Sequence, residues 1–291
     1  MKNIVKMSAG EDIMKNINFQ RTVEIRDNVD VFVAGGGPAG VASAVAAARN
    51  GAKVFLAEKS QCFGGMGTIA KVPAFMRFSD GVNFLAGGIG GGNIGHVFGV
   101  DGTDERSITA GIIDARRRMP EYQRYYNEYL PGYEKAKIIA TADILGIRET
   151  RRIVCEYNMT LEDYFKQADF EDEIGRYCYP VDIHASAPDE VSKYPDIYEN
   201  GYEKGKSYGI PFRSLLPKKT ENIIVAGRCI GAEREMMGSV RVMPACYITG
   251  QAAGTAAAMS ALSGTGLREL DIHDLQHKLV KEGAFLPNFQ A

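Results

Sequence analysis

Three glycines in the run Gly35-Gly36-Gly37-Pro38-Ala39-Gly40 stand in G-x-G-x-x-G spacing, the pattern with which a backbone turn cradles the pyrophosphate of a dinucleotide. Gly35 permits the tight turn, Gly37 lets backbone N–H groups approach the phosphates with no Cβ in the way, and Gly40 lets the following helix lie close on its strand. Pro38 suits the first helical position, where no N–H is needed. Glu58 follows 23 residues after Gly35, where an acid at the tip of the next strand accepts hydrogen bonds from the adenosine ribose hydroxyls. A carboxylate there favours an unphosphorylated 2′-OH, as in FAD or NAD, over NADP. A glycine-rich loop that merely packs tightly is the alternative, and the succession strand, turn, helix, strand, acid argues against it.

Other residues could carry chemistry. Asp182 and His184 lie two apart on the same side of an extended segment, and His184 sits among polar neighbours. It reads either as a proton donor and acceptor, for which an ordinary pKa of ~6.5 is suited, or as a structural hydrogen bond. Arg148, Arg151, Arg213 and Arg241 could orient a carboxylate, since guanidinium forks bind such groups bidentately; each could equally be a structural ion pair. Cys62 has no second cysteine before Cys155, so a local dithiol relay is not expected, Cys62 reads as structural, and a hydride must pass directly between cofactor and substrate. No metal is expected, because Asp182 and His184 lack further nearby ligands. His273 and His277 read as solvated helix face.

These residues need elements to hold them. Val31-Phe32-Val33 predicts a strand, Ala39 to Arg49 a helix stopped by Asn50-Gly51, and Lys53 to Ala57 a second strand. Residues 1–27 read as an arm or short strand without chemistry. In KSQCFGGMGT, Gly64-Gly65 and Thr68 either bring donors back over the cofactor or form a simple turn. Residues 80–102 hold nine glycines and no helical period, the clearest seam in the chain. Beyond it a helical pattern runs from Ile108 to Tyr129, kinked near Pro120 and stopped by Pro131-Gly132. A second helix is expected over Tyr133 to Ala142, a strand at the end of residues 146–157, and a short helix from the capping box of Thr160 and Asp163 to Gln167.

The closing part returns to the cofactor. Residues 221–227, ENIIVAG, predict a second buried parallel strand. Residues 244–262 predict a helix of small residues, with Gly250 and Gly254, able to lie very close to the cofactor or to the first βαβ unit. A NAD dehydrogenase completes its sheet with further βα units in succession, whereas this chain leaves after Glu58 and returns with one strand and one helix, as flavoproteins do. Met243 and Pro244 at that helix N-terminus would then face the flavin pyrimidine edge. A partly buried helix dipole there contributes up to ~2 kcal/mol, on the order of 40 mV for a two-electron couple.

The totals set limits. With 291 residues the chain can bury a sizeable core. A net charge of −2 with dispersed basic residues argues against nucleic acid and acidic membrane surfaces. The apolar stretch Val31 to Ala48 is interrupted at Gly35-Gly36-Gly37-Pro38, so no membrane span is expected, and no signal peptide is read at the N-terminus. Five cysteines without CxxC spacing predict reduced thiols and a cytoplasmic protein. The expected fold is α/β: a Rossmann-like FAD-binding domain with a parallel sheet, plus a mainly helical inserted region. The expected divisions are 1–95, an arm and the first half of the FAD-binding domain; 96–214, the insert; and 215–291, the second half with a C-terminal helix.

GGGPAG, the GGMGT turn, GVDGTD, LPGYEKA, GIRETRRI, YPVDIH, YGIPFRSLLPK, NIIVAGRCI and SVRVMPACYITGQAAGTAAA together resemble bacterial FAD-dependent oxidoreductases related to glutathione-reductase-type flavoproteins. The resemblance covers about residues 28–70 and 98–286. It implies that Gly35, Gly37, Pro38, Ala39 and Gly40 hold the FAD pyrophosphate and Glu58, with Lys59 beside it, the ribose. It further implies Gly65, Met66 and Thr68 along the cofactor, Gly227 and Arg228 near its phosphates, and Met243, Pro244, Gln251 and Ala252 near the flavin ring. Members of the family usually carry a long middle section before GVDGTD, with a strand that completes the FAD sheet. Here it is missing, which implies that a second subunit or a second copy of the chain completes the site. The leading expectation is an FAD-dependent oxidoreductase acting on a small, anionic organic substrate, with His184, Arg213 and Arg241 at the chemistry. A flavin-binding subunit without its own catalysis and a NAD-dependent dehydrogenase are the rivals.

Overall fold

Val31-Phe32-Val33-Ala34 is short and β-prone, and it forms strand β1 (Val31–Ala34) in the computed structural model, which describes residues 20, 22, 28–72, 95–183 and 201–289. β1 runs parallel to β2 (Val54–Ala57), with Val31 opposite Val54 and Ala34 opposite Ala57. Helix α1 (Pro38–Arg49) connects them, started by Pro38 and built of alanines that form helix readily. Its inner face carries only small side chains. Ala47 and Ala52 pack with Val31 and with Ala258 of a distant helix.

That helix is α6 (Met243–Ser263), which ends where Gly264 turns to a φ of +73°. Its residues are apolar or small on nearly every face and most are buried, with Tyr247 and, near its end, Leu262 left exposed. One face lies against α1 at backbone distance: a Cβ on Gly254 would stand 2.7 Å from Ser43 Cα, and one on Gly250 would stand 2.8 Å from Ala42 Cβ. The buried Ser43 hydroxyl donates to the Gly250 carbonyl at 2.9 Å across this seam. The small-residue helix thus meets the first βαβ unit through α1. The other face, with Ala252, Ala253 and Ala256, enters the main core.

The middle of the chain supplies that core. α2 (Glu105–Arg117) is capped by the Asp104 carboxylate, which accepts from the Arg106 and Ser107 N–H groups, and α3 (Met119–Tyr129) restarts at Pro120. α4 (Leu161–Lys166) begins with the reciprocal capping box of Thr160 and Asp163. β3 (Glu173–Tyr177) and β4 (Tyr208–Pro211) pair antiparallel. α5 (Arg234–Val240) leads into α6, and α7 (Ile272–Lys281) is capped by Asp271. Tyr164, Ile174, Tyr208, Ile210, Leu215, Met236, Met237, Leu275 and Leu279 form one cluster with the inner face of α6. The core therefore runs straight across residue 214.

The described architecture is mixed α/β with a parallel pair, and three expectations need correction. Residues 221–222 bend, with Asn222 at a φ of +56°, and residues 223–226 join no sheet among the described residues: the Val225 N–H donates to the Leu215 carbonyl at 2.9 Å, and Gly227–Cys229 turns as 3₁₀. A strand requires a neighbour, and β1 is paired only with β2 among the described residues. The helix expected over Tyr133 to Ala142 does not form. Gln123 and Asn127 of α3 take its backbone instead, both donating to the Ala136 carbonyl while the Ile138 N–H donates to Gln123 Oε1 at 2.7 Å. The strand expected at the end of residues 146–157 is reduced to a single bridge between Cys155 and Pro217.

Candidate functional site

Four segments far apart in sequence meet at the N-terminus of α1. A Cβ on Gly40 would collide with the Gly35 carbonyl and stand 2.9 Å from its carbon, so only glycine lets the turn fold onto the helix. Gly35, at a φ of +108°, and Gly37 have the opposite surroundings: a Cβ on either would meet nothing within 4 Å. The space before α1 is open, no side chain caps the helix, and its positive end faces that space. The 3₁₀ turn Gly65–Gly67 closes one side, since a Cβ on Gly65 would lie 3.1 Å from Gly37 Cα and 3.3 Å from Pro38 Cδ. The Gly227 turn closes another, where a Cβ would lie 2.8 Å from Ala39 Cβ. Met243, first residue of α6, reaches the same corner, its sulfur 3.3 Å from where a Gly67 Cβ would stand.

Glu58 is held tightly at the tip of β2. Its Oε2 accepts the Gly36 N–H at 2.6 Å, while Oε1 accepts the Ser60 hydroxyl at 2.6 Å and the Ser60 N–H at 2.8 Å. The Ser60 hydroxyl first, then its N–H and the Gly36 N–H, lower the carboxyl to about 2, so it is an anion throughout the physiological range. The carboxylate thereby fixes the glycine loop. Ser60 and Gly36 were not among the residues singled out from sequence. A hydroxyl two residues beyond the acid is the local signal that could have found Ser60. Phe63 is a further such neighbour, its Cδ1 2.5 Å from where a Gly36 Cβ would stand.

The remaining expected residues distribute as follows. Lys59 and Thr68 are exposed at the same corner, and the Thr68 hydroxyl donates to the Phe63 carbonyl at 2.7 Å. Met66 is half-buried in the turn, and Pro244 is buried behind Met243. Arg228 turns its guanidinium to the carbonyls of Ile147 and Arg148. Gln251 is half-buried, and Ala252 points into the main core. Arg213 is held by both oxygens of Asp172, at 2.9 and 3.1 Å, with its guanidinium 5.5 Å from the Tyr157 ring centre. Arg241 is nine-tenths buried, donates to the Asp182 carbonyl at 2.7 Å and stands 3.7 Å from that residue's carboxylate. His184 lies outside the described residues. His273 and His277 are exposed and flank the Phe289 ring.

No helix among the described residues is long and apolar enough to cross a membrane. A family model described as "FAD dependent oxidoreductase" matches the chain in two stretches, residues 30–92 and 91–279. Comparison with the curated proteins and with solved structures found no match.

Proposed function

The chain belongs to the FAD-dependent oxidoreductase family and is an enzyme of that class with FAD as its cofactor, and from that premise we propose that it moves a hydride between a small organic substrate and the flavin. The observation that carries the reading is the open cradle before α1, walled by three segments from elsewhere in the chain. The residues present fit the cofactor. Gly35, Gly37, Pro38, Ala39 and Gly40 leave room and N–H groups for the pyrophosphate, and Glu58 supplies a fixed anion for the ribose. Gly65, Met66, Thr68, Gly227 and Met243 wall the space beyond. Lys59, Arg228, Pro244, Gln251 and Ala252 belong to the same proposed set through their neighbours. Bound FAD supplies a two-electron acceptor and donor. His184 is assigned the substrate proton, and Arg213 and Arg241 are assigned to the chemistry.

The site is proposed to be completed by a second polypeptide or a second copy of the chain. Phe32 and Phe55 stack at 5.9 Å on the face of the β1–β2 pair away from α1, and they are 62% and 42% exposed. Parallel sheets are ordinarily covered on both faces. The family match breaks where a middle section is expected, at residues 91–92. Gentle purification followed by native mass measurement and anaerobic mixing with candidate substrates tests both parts. Bleaching of the flavin's visible band by a substrate is expected, in a particle heavier than one chain. A flavin-bound monomer sinks the partner; colourless protein that takes up no FAD sinks the whole reading.

A further inference from the structure

Resting on that reading, we propose that Arg148 and Arg241, converging on Asp182 beside the start of α6, form the subsite that takes the carboxylate of a small monoanionic organic acid. Arg241 follows the last residue of α5 and precedes Met243 by two positions, so its backbone sits where the cofactor corner begins. Its side chain is 8% exposed and reaches the Asp182 carboxylate at 3.7 Å; Arg148 reaches the same oxygen, Oδ2, at 3.6 Å with 38% of its side chain exposed. Both separations exceed hydrogen-bonding range, so neither fork is closed on that oxygen.

Among the described residues the charges do not balance. Two guanidinium groups share one carboxylate, and burial first, with Arg148's charge second, lowers Arg241 to about 10. Glu149, the next acid to influence Arg241, is itself bound to Arg152 at 2.9 Å. The buried Arg241 thus shares its one buried counter-ion with a second cation that reaches in from the surface, and desolvated charge is costly until it is neutralised. The start of α6 adds potential of the same sign, because no side chain caps it. Arg228 does not compete for the space, since it is committed to the carbonyls of Ile147 and Arg148 and holds the Arg148 backbone in place.

The chemistry of the ligand follows from these parts. Planar forks with free N–H groups bind a carboxylate through both oxygens, and a surplus of one charge matches a monoanion better than a phosphate dianion. Asp182 keeps the two arginines from separating when the site is empty. Arg213, the other arginine assigned to the chemistry, already has both Asp172 oxygens in its fork.

The test is calorimetric titration of the FAD-loaded protein with propionate at constant ionic strength, with chloride and inorganic phosphate as separate arms. Saturable propionate binding is expected, together with a shift of the flavin absorbance that chloride and phosphate do not produce. Arg148→Gln should weaken it at least tenfold and Arg148→Lys less, both with unchanged FAD content and melting temperature. Absent binding, equal binding in Arg148→Gln, or the same response to chloride overturns the subsite. A flavin bleached by a neutral substrate while propionate fails to bind removes the subsite and keeps the oxidoreductase reading. Propionate binding in a protein whose flavin no substrate bleaches supports the subsite and removes the proposed hydride transfer.

Discussion

Gly254→Ala is a one-carbon change with a calculable consequence. The added Cβ would stand 2.7 Å from both Ser43 Cα and its carbonyl carbon, where ordinary contact needs close to an ångström more. The obstacle is backbone, so no rotamer relieves it, and α1 must move away from α6. Overpacking of this kind costs about 1–3 kcal/mol. Loss of the buried Ser43 to Gly250 hydrogen bond, now 2.9 Å, adds about 1 kcal/mol. Better helix propensity returns ~1 kcal/mol, leaving a net loss of about 1–3 kcal/mol. In a chain of this size that corresponds to a melting temperature lower by on the order of 5 °C. Because α1 carries Gly37 at its N-terminus, FAD affinity should fall with stability. Thermal melts and FAD titration of the apoprotein measure both, with Gly146→Ala as control, since a Cβ there meets nothing within 4 Å. A Gly254→Ala protein with wild-type melting and affinity, or equal damage in the control, would refute the reasoning.

Two further substitutions follow from the geometry. Glu58 has a folded pKa of about 2 against 4.5 when free, so its contribution is complete above pH ~4.5 and disappears as pH falls toward about 2. Urea melts of wild type and Glu58→Gln at a series of pH values should show a stability gap that closes through that window, and a gap constant with pH contradicts the assignment. Arg176→Met strands Glu173, which is 3% exposed and whose carboxyl is raised by burial, without the guanidinium now 2.6 Å away. Breaking such a pair costs about 3–5 kcal/mol, and adding Glu173→Gln should recover part of it; a single variant as stable as wild type in urea would show the pair to be idle.

How much of this was legible depended on the range of the forces involved. The βαβ unit was readable to within a residue because its signals are local: β-prone residues, glycines at fixed spacing, Pro38 at the helix start. The Thr160 and Asp163 capping box and the break at Pro120 were legible for the same reason. β3 was not. All five of its residues are buried, including Glu173 and Arg176, so the strand shows no polar and apolar alternation. Residues 221–226 carried a β pattern but pair with no neighbour among the described residues, and partner availability is something no local pattern reports. Arg241 was visible as a cation, yet its meaning depends on Asp182, 59 positions away.

The two halves of the cofactor corner are also coupled through packing. The cluster beneath β1 and β2 consists of Val31, Ala47, Ala52 and Ala258, with Val33, Val54 and Ala257 at its edge. Side chains of that size bury little apolar surface, and at roughly 25 cal/mol per Å² they stabilise little. Two of them belong to α6. The unit proposed to cradle the pyrophosphate therefore depends on a helix from the far end of the chain, and α6 is fixed in turn by Ala245, Ala252, Ala253 and Ala256 in the main core. Any strain that shifts α6 by a fraction of an ångström reaches the glycine loop without a hinge to absorb it. Conversely, if FAD binds at that loop as proposed, it should stabilise the fold that contains the α1 to α6 seam by mass action, about 2.7 kcal/mol at a hundredfold excess over its dissociation constant. Wild type gains at least as much, so at equal saturating FAD the melting gap between it and Gly254→Ala should persist and widen by whatever affinity the substitution costs; a gap that closes on adding FAD would show that the seam and the loop are not coupled.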